Sequence, residues 1–188
     1  ARICEFITYI QLSDHAATLQ ARQEVEKYGF LGTRIYIDQG DPRRLHLADN
    51  VADVVIGPAD ASEAEVLRVL NPQGKALLGD NIVLKPFPDG IDHWDHPYHG
   101  PDNNPVSTDQ VARAPYLTQF LAGPRFSPIP TNTVASAGRY FKAFGHVAFH
   151  KREGRWLNTL VAFNGYNGTM LWSHPLVPGI MVNRNTMI

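Results

Sequence analysis

The sequence predicts an α/β layer over residues 1–80 and an all-β sheet over residues 131–188. Up to residue 80, short apolar segments typical of strands alternate with longer segments that begin at helix-capping residues. Beyond residue 131, apolar segments are separated by glycines rather than by helices. Residues 81–130 are rich in proline and contain several aromatic side chains, which predicts an irregular but ordered junction.

Composition excludes several classes of protein. The chain has 188 residues, of which 44% are hydrophobic and 19% are charged, as in folded globular proteins. A net charge of -1 without a basic stripe argues against a nucleic-acid partner. No apolar run approaches the roughly 20 residues of a transmembrane helix, so we expect no membrane span. Cys4 is the single cysteine, which rules out an internal disulfide.

Local signals place the helices and strands of the first 80 residues. Asp14 is a predicted N-cap and Gly29 a predicted C-terminal stop for the first helix. Ser62 and Glu65 form a capping box at the start of the second helix. The predicted elements are a strand at 2–10, a helix at 15–28, strands at 34–38 and 52–56, a helix from the capping box to residue 70, a turn at 71–74 and a strand at 75–79. Short β-branched strands that alternate with helices favour parallel pairing.

Two segments of this region resemble class I S-adenosylmethionine methyltransferases. EVLRVLNPQGKALL, at 65–78, is similar to a helix, turn and strand of that family, and GTRIYIDQGDPRRLHLADNVADVVI, at 32–56, is similar to its third strand, Gly-Asp loop and fourth strand. The resemblance implies a Rossmann-like, methyltransferase-type partial sheet, with S-adenosylmethionine as its cofactor.

The same resemblance names the candidate cofactor-binding residues, which are Ser13, Asp14 and Asp41. Gln11, Ser13 and Asp14 stand where the family ends its second strand with an acidic contact to the ribose, and Asp41 stands in the loop that touches the adenine. An Asp-Pro turn is the other interpretation of Asp41. No G-x-G-x-G loop occurs in the sequence, so the chain begins, by this comparison, at the family's second strand. This departure predicts a degenerate site, unless the opening strand precedes residue 1.

The junction contains four candidate metal ligands, which are His93, Asp95, His96 and His99. The three histidines follow one another at three-residue intervals, and imidazole and carboxylate groups suit zinc, iron or another divalent ion. The other interpretation is that these side chains hydrogen-bond to a loop whose backbone groups lack regular partners.

The C-terminal region predicts four strands, at 133–138, 139–145, 157–165 and 169–176. The hairpin AFNGYNGTMLW, at 162–172, has the strongest local support because it contains the turn dipeptides Asn164-Gly165 and Asn167-Gly168. This segment resembles the tryptophan-docking motif of the quinoprotein-type, or PQQ-like, β-propellers, in which Ala162, Gly168 and Trp172 match the motif. Asn164, Asn167 and Thr169 replace its usual Asp, Thr and Lys.

The whole arrangement resembles large bacterial proteins that join a methyltransferase-like domain to a PQQ-like propeller. The resemblance implies domains at 1–80 and 131–188 linked by a junction at 81–130, with the last domain forming one propeller blade. It implies that this blade packs against further blades or another chain, that PQQ is the cofactor of a complete propeller, and it favours a periplasmic or extracytoplasmic location.

Three functions stay open from the sequence. A non-catalytic scaffold or binding module needs no intact catalytic constellation. A methyltransferase would use Ser13, Asp14 and Asp41 for its cofactor. A PQQ-dependent or metal-dependent oxidoreductase would need the remaining blades or the histidines of the junction.

Overall fold

The computed structural model describes residues 6–112, 121–128 and 130–177. The chain divides into two compact units, of which the first contains residues 1–70 and 74–85 and the second contains residues 71–73 and 86–188. Among the described residues, no helix has the length and apolar character that a membrane crossing requires.

The first unit contains two small sheets with helices between their parallel strands. Its elements are β1 (Thr8–Leu12), α1 (His15–Glu26), β2 (Ile35–Gln39), β3 (Ala52–Gly57), α2 (Glu63–Val69), β4 (Leu70–Leu78) and β5 (Asn81–Leu84). β1 pairs with β2 in parallel, and β3 pairs with β4 in parallel. The expectation of parallel pairing in this region is therefore confirmed.

Several boundaries in the first unit differ from the prediction. α1 ends at Glu26 rather than at Tyr28, because the N–H groups of Tyr28 and Gly29 turn back to the carbonyls of Val25 and Glu26, three residues earlier. β1 continues to Leu12, since its partner β2 continues to Gln39. The N-terminal part of the predicted first strand, residues 2–5, lies outside the described residues.

β4 includes the predicted turn at 71–74, and the pairing register between β3 and β4 is irregular there. Ala52 pairs with Leu70, but Val54 already pairs with Lys75, and Gln73 has a φ of 68°. β5 (Asn81–Leu84) falls inside the predicted irregular junction at 81–130, which is wrong for these four residues because they pair with β4. The signal was present, since Gly79 takes a positive φ in the turn that joins β4 to this antiparallel strand.

α2 packs on one face of the three-stranded sheet. Val66 of α2 forms a buried cluster with Leu70, Ala76 and Leu78 of β4. Val55 and Val83 pack against this cluster from the neighbouring strands. Each strand of this sheet therefore contributes to the core on the helix side.

The second unit is built on an antiparallel sheet whose strands follow chain order. Its elements are β6 (Pro130–Ser136), β7 (Arg139–Phe144), a 3₁₀ helix (Lys151–Trp156), β8 (Thr159–Asn164) and β9 (Met170–Pro175). The four predicted strands are present, each with shorter or shifted ends, whereas the 3₁₀ helix was not predicted. Phe144, Val161 and Phe163 form its buried core, against which Tyr140, Trp156 and Met170 pack.

The hairpin that joins β8 to β9 is confirmed, and its asparagines account for it. The backbone N–H of Asn164 donates to the carbonyl of Thr169, and the carbonyl of Asn164 accepts the N–H of Gly168. The Asn164 side chain accepts the N–H of Tyr166 at 2.8 Å. The Asn167 side chain accepts from the N–H of Thr169 at 3.0 Å. Gly168 has a φ of 70°, a conformation that glycine adopts without strain.

Candidate functional site

The predicted cofactor-binding residues meet at one edge of the β1–β2 sheet. Because the two strands are parallel, their carboxyl ends lie at the same edge, which brings together Ser13 and Asp14 after β1 and Asp41 after β2. A cleft of about 570 Å³ opens there, lined by Ser13, Gln39, Gly40, Asp41, Pro42 and Arg43. Ser13 and Asp41 thus line one cleft, and Asp14 is the next residue in the chain.

Asp14 serves the helix rather than the cleft. Its carboxylate accepts the N–H of Ala17 at 2.6 Å, as an N-cap residue does, and its carbonyl accepts the hydroxyl of Thr18 at 2.7 Å. The N-cap prediction for Asp14 is confirmed by this geometry.

Asp41 closes the turn that follows β2. Its carboxylate accepts the N–H of Arg43 at 2.9 Å, and its carbonyl accepts the N–H of Arg44 at 2.9 Å. The guanidinium of Arg43 approaches the same carboxylate at 3.5 Å, with both side chains largely exposed. The geometry is that of the Asp-Pro turn, which was the second interpretation of this residue.

Gln11 connects β1 to the loop after β2. Its side-chain amide donates to the carbonyls of Asp41 at 2.8 Å and Arg44 at 2.9 Å, and its side-chain oxygen accepts the N–H of His46 at 2.9 Å. Tyr9 donates its hydroxyl to the same oxygen at 2.9 Å. The Gln11 side chain therefore bonds to this chain's own backbone in the loop after β2.

Asp38 and His46 form a second polar pair at this edge. The Nδ1 of His46 lies 2.7 Å from a carboxylate oxygen of Asp38, and this hydrogen bond holds the pKa of Asp38 below its usual value. Burial, together with the Asp38 charge, raises the pKa of the Tyr9 phenol. Neither Asp38 nor His46 stands out in the sequence, because their pairing depends on how the loop folds back.

Gly40 leaves the space that these side chains occupy. A Cβ at this position would lie 2.8 Å from the Nε2 of Gln11 and 2.8 Å from the Cε1 of His46. Such distances are shorter than van der Waals contact, so both side chains would have to move away from their hydrogen-bond partners.

We expect Gly40→Ala to destabilise the loop after β2 by about 1–3 kcal/mol, the usual cost of overpacking. Hydrogen exchange at the amide of His46, which donates to Gln11, measures the effect. Gly57→Ala is the matched control, because a Cβ there meets Leu78 and Ala61 at ordinary distances of 3.4 and 3.6 Å. Unchanged exchange at His46 in Gly40→Ala would show that the loop does not depend on this packing.

A second cleft of about 790 Å³ lies beside the same loop and is lined by residues 43–47, Glu65 and Arg68. Arg68 fills its hydrogen-bonding capacity with this chain's own groups, donating to the carbonyls of Leu45 and Leu47 and to the carboxylates of Asp49 and Glu65. The bond from Arg68 lowers the pKa of Glu65 to about 2, assisted by the N–H of Leu45. Arg68 therefore acts as a clamp, which we define as its hydrogen bonds to the loop at residues 43–49 and to Glu65.

The four candidate metal ligands of the junction have separate partners. His96 pairs with Asp95 at 2.7 Å, whereas the Nδ1 of His93 accepts the N–H of Ala137 at 3.3 Å. His99 pairs with Asp92 at 2.8 Å, and that bond raises the pKa of His99 and lowers that of Asp92. Within residues 6–112, 121–128 and 130–177, no three His, Cys, Asp or Glu side chains converge as metal ligands would. The geometry gives the metal prediction no support and agrees with hydrogen bonding within the loop.

Trp172, the last residue of the segment that resembles the docking motif, lies on β9 directly opposite Ala162 of β8. Its ring contacts Phe141 of β7, which lies in the same row of the sheet, with 6.0 Å between ring centroids, and 44% of Trp172 is exposed. Ala162 and Trp172 therefore lie on one face of the antiparallel sheet, whereas Gly168 lies in the turn between β8 and β9.

Comparison of the chain with protein-family models, with curated proteins and with solved structures returned no match.

Proposed function

We propose that the chain is a non-catalytic scaffold or binding module, built from a degenerate methyltransferase-like α/β unit and a PQQ-like propeller segment. The observation that carries the proposal is the hydrogen bonding at the carboxyl edge of β1 and β2. Gln11, Asp14 and Asp41 each bind this chain's own main chain, at distances of 2.6–2.9 Å. A ligand that used these groups would first have to break the contacts that hold the loop.

An apolar sheet face supports the binding half of the proposal. β3, β4 and β5 direct five apolar side chains away from α2, and these side chains lie opposite or two residues from one another in the strand register. The exposed fraction is 42–78% for each of them, and they are Val54, Ile56, Leu77, Ile82 and Leu84. On the same face, the exposed side chain of Lys75 lies between Val54 and Leu84, so one charge interrupts the apolar surface. An exposed apolar surface of this kind is typical of one that another structural element covers.

The test is isothermal titration calorimetry of this chain with S-adenosylmethionine. We expect no binding heat at micromolar protein and ligand concentrations. A dissociation constant in the micromolar range would overturn the proposal. Gln11→Ala serves as the matched variant, since a genuine site at this edge would lose affinity when the loop is released.

The second candidate is an S-adenosylmethionine-dependent methyltransferase. The cleft of about 570 Å³ favours it, because Ser13 and Asp41 both line that cleft at the carboxyl ends of parallel strands. In that case Ser13 and Asp41 would contact the cofactor, and Asp14 would keep its role as helix cap. Micromolar binding that is lost in Asp41→Ala would select this candidate.

A further inference from the structure

β6 lies at the end of the strand order in the antiparallel sheet, so one of its edges has no neighbouring strand among the described residues of that sheet. A strap from the junction, which we define as residues 92–109, covers part of this edge. Trp94 and Ala135 exchange two backbone hydrogen bonds, of 2.8 and 2.6 Å, in an isolated antiparallel bridge. The side chain of His93 accepts the N–H of Ala137, the first residue after β6, at 3.3 Å. Since Trp94 and Ala135 form an isolated bridge outside the named strands, the strap covers this edge without being a strand of the sheet.

The strap is held together by the carboxylate of Asp92. This carboxylate accepts hydrogen bonds from the backbone of His93 and Thr108 and from the hydroxyl of Ser107, at 2.8–2.9 Å. The Nε2 of His99 lies 2.8 Å from the same group, and the two side chains are only 17% and 15% exposed. Asp92 thereby joins both ends of the strap, because Ser107 and Thr108 lie 15 and 16 residues further along the chain.

His99 also supports the residue that forms the bridge to β6. The rings of Trp94 and His99 lie with their centroids 5.0 Å apart, next to the Asp92–His99 pair. His99 has a φ of 76°, which non-glycine residues seldom adopt, so its backbone is strained to make these contacts. The bridge and the Asp92–His99 pair are therefore one connected arrangement.

We propose that residues 92–109 are a detachable cover of the β6 edge, kept closed by the Asp92–His99 pair. Opening the strap would free the main-chain groups of Ala135 and Ala137. Such an edge accepts an added strand, which is how sheets bind extended peptide segments. This inference concerns the second unit and does not depend on the proposed function.

The test is amide hydrogen exchange by NMR in Asp92→Asn, with Asp95→Asn as the matched control. Asp95 forms the same type of pair with His96, but Asp95 is 53% exposed and the pair spans adjacent residues. We expect exchange at Ala135 and Ala137 to be at least tenfold faster in Asp92→Asn and unchanged in Asp95→Asn. The amides of Val161 and Phe163, in the centre of the sheet, should keep their wild-type exchange rates.

Ser107→Ala is a milder second variant, since it removes one donor to Asp92 and keeps the ion pair. It should accelerate exchange at Ala135 by a smaller factor. Wild-type exchange at Ala135 in both Asp92→Asn and Ser107→Ala would overturn the proposal. Equal acceleration across β6, β7 and β8 would also overturn it, because Asp92 would then support the whole unit rather than the strap.

Discussion

Phe144→Ala is expected to destabilise the second unit by about 3–5 kcal/mol, the typical cost of removing a buried aromatic side chain. Phe144 is 1% exposed, lies in one cluster with Val161 and Phe163, and contacts the edge of Trp156 at 6.4 Å between centroids. Truncation would leave a cavity that the paired strands β7 and β8 cannot close by a small movement.

Urea unfolding followed by tryptophan fluorescence measures this loss. All three tryptophans, Trp94, Trp156 and Trp172, lie in the second unit, so the emission reports on that unit alone. Phe149→Ala is the matched control, because Phe149 is 76% exposed and its loss should change stability by no more than about 0.5 kcal/mol. Equal effects of the two mutations would contradict the assignment of Phe144 to the core.

Arg68→Met is expected to destabilise the loop at residues 43–49 by about 2–3 kcal/mol, since hydrogen bonds that involve charged groups contribute more than neutral ones. Arg68 donates to the carbonyls of Leu45 and Leu47 and to the carboxylates of Glu65 and Asp49. Methionine keeps much of the side-chain volume but removes every donor. Hydrogen exchange at the amide of Leu45, which donates to Glu65, measures the opening of the loop.

The same mutation should change the response of the first unit to acid. The folded-state pKa of Glu65 is about 2, below its unfolded value of about 4.3. Glu65 therefore stabilises the folded state above pH 4.3, and that contribution is lost as the pH falls toward 2. In Arg68→Met the pKa of Glu65 rises toward its unfolded value, so this acid-dependent loss should become smaller.

Arg43→Met is the control for Arg68→Met, because Arg43 lies in the same loop with its side chain 85% exposed. An exposed ion pair of this kind contributes little, so we expect a change of at most about 0.5 kcal/mol. Equal acceleration of exchange at Leu45 in both variants would contradict the clamp role of Arg68.

The sequence predicted the elements whose signals are local. The hairpin from β8 to β9 depends on Asn164, Asn167 and Gly168, and all three make contacts within five residues of their own position. The N-caps Asp14 and Ser62 are local in the same way. The Glu65 half of the predicted capping box is wrong, because the Glu65 carboxylate accepts from Arg68 and from the N–H of Leu45. Such features can be read from a few neighbouring residues because the physical cause lies within those residues.

The contacts that decide the candidate site are not local. Gln11 binds backbone groups 30–35 residues further along the chain, and Arg68 binds carbonyls 21 and 23 residues before it. No periodicity or spacing predicts which loop a glutamine will hold. The sequence could therefore place Ser13 and Asp41 at one sheet edge, but it could not show that their neighbours satisfy one another.

The histidines of the junction illustrate the same limit. Regular spacing of His93, His96 and His99 suggested one metal site, yet spacing along an irregular loop does not determine side-chain direction. The positive φ of His99 directs this residue to Asp92, while His93 faces the β6 edge. Backbone conformation, rather than residue order, separates the three rings.

NMR observation of the Gln11 side-chain amide during titration with S-adenosylmethionine tests most directly whether the internal hydrogen bonds of this edge exclude the cofactor. We expect this amide and the backbone amide of His46 to keep their chemical shifts up to millimolar ligand, because both take part in the hydrogen bonds between Gln11 and the loop after β2. Specific, saturable shifts at Gln11, Ser13 and Asp41 would contradict this expectation, since they would show that the internal contacts give way to the cofactor.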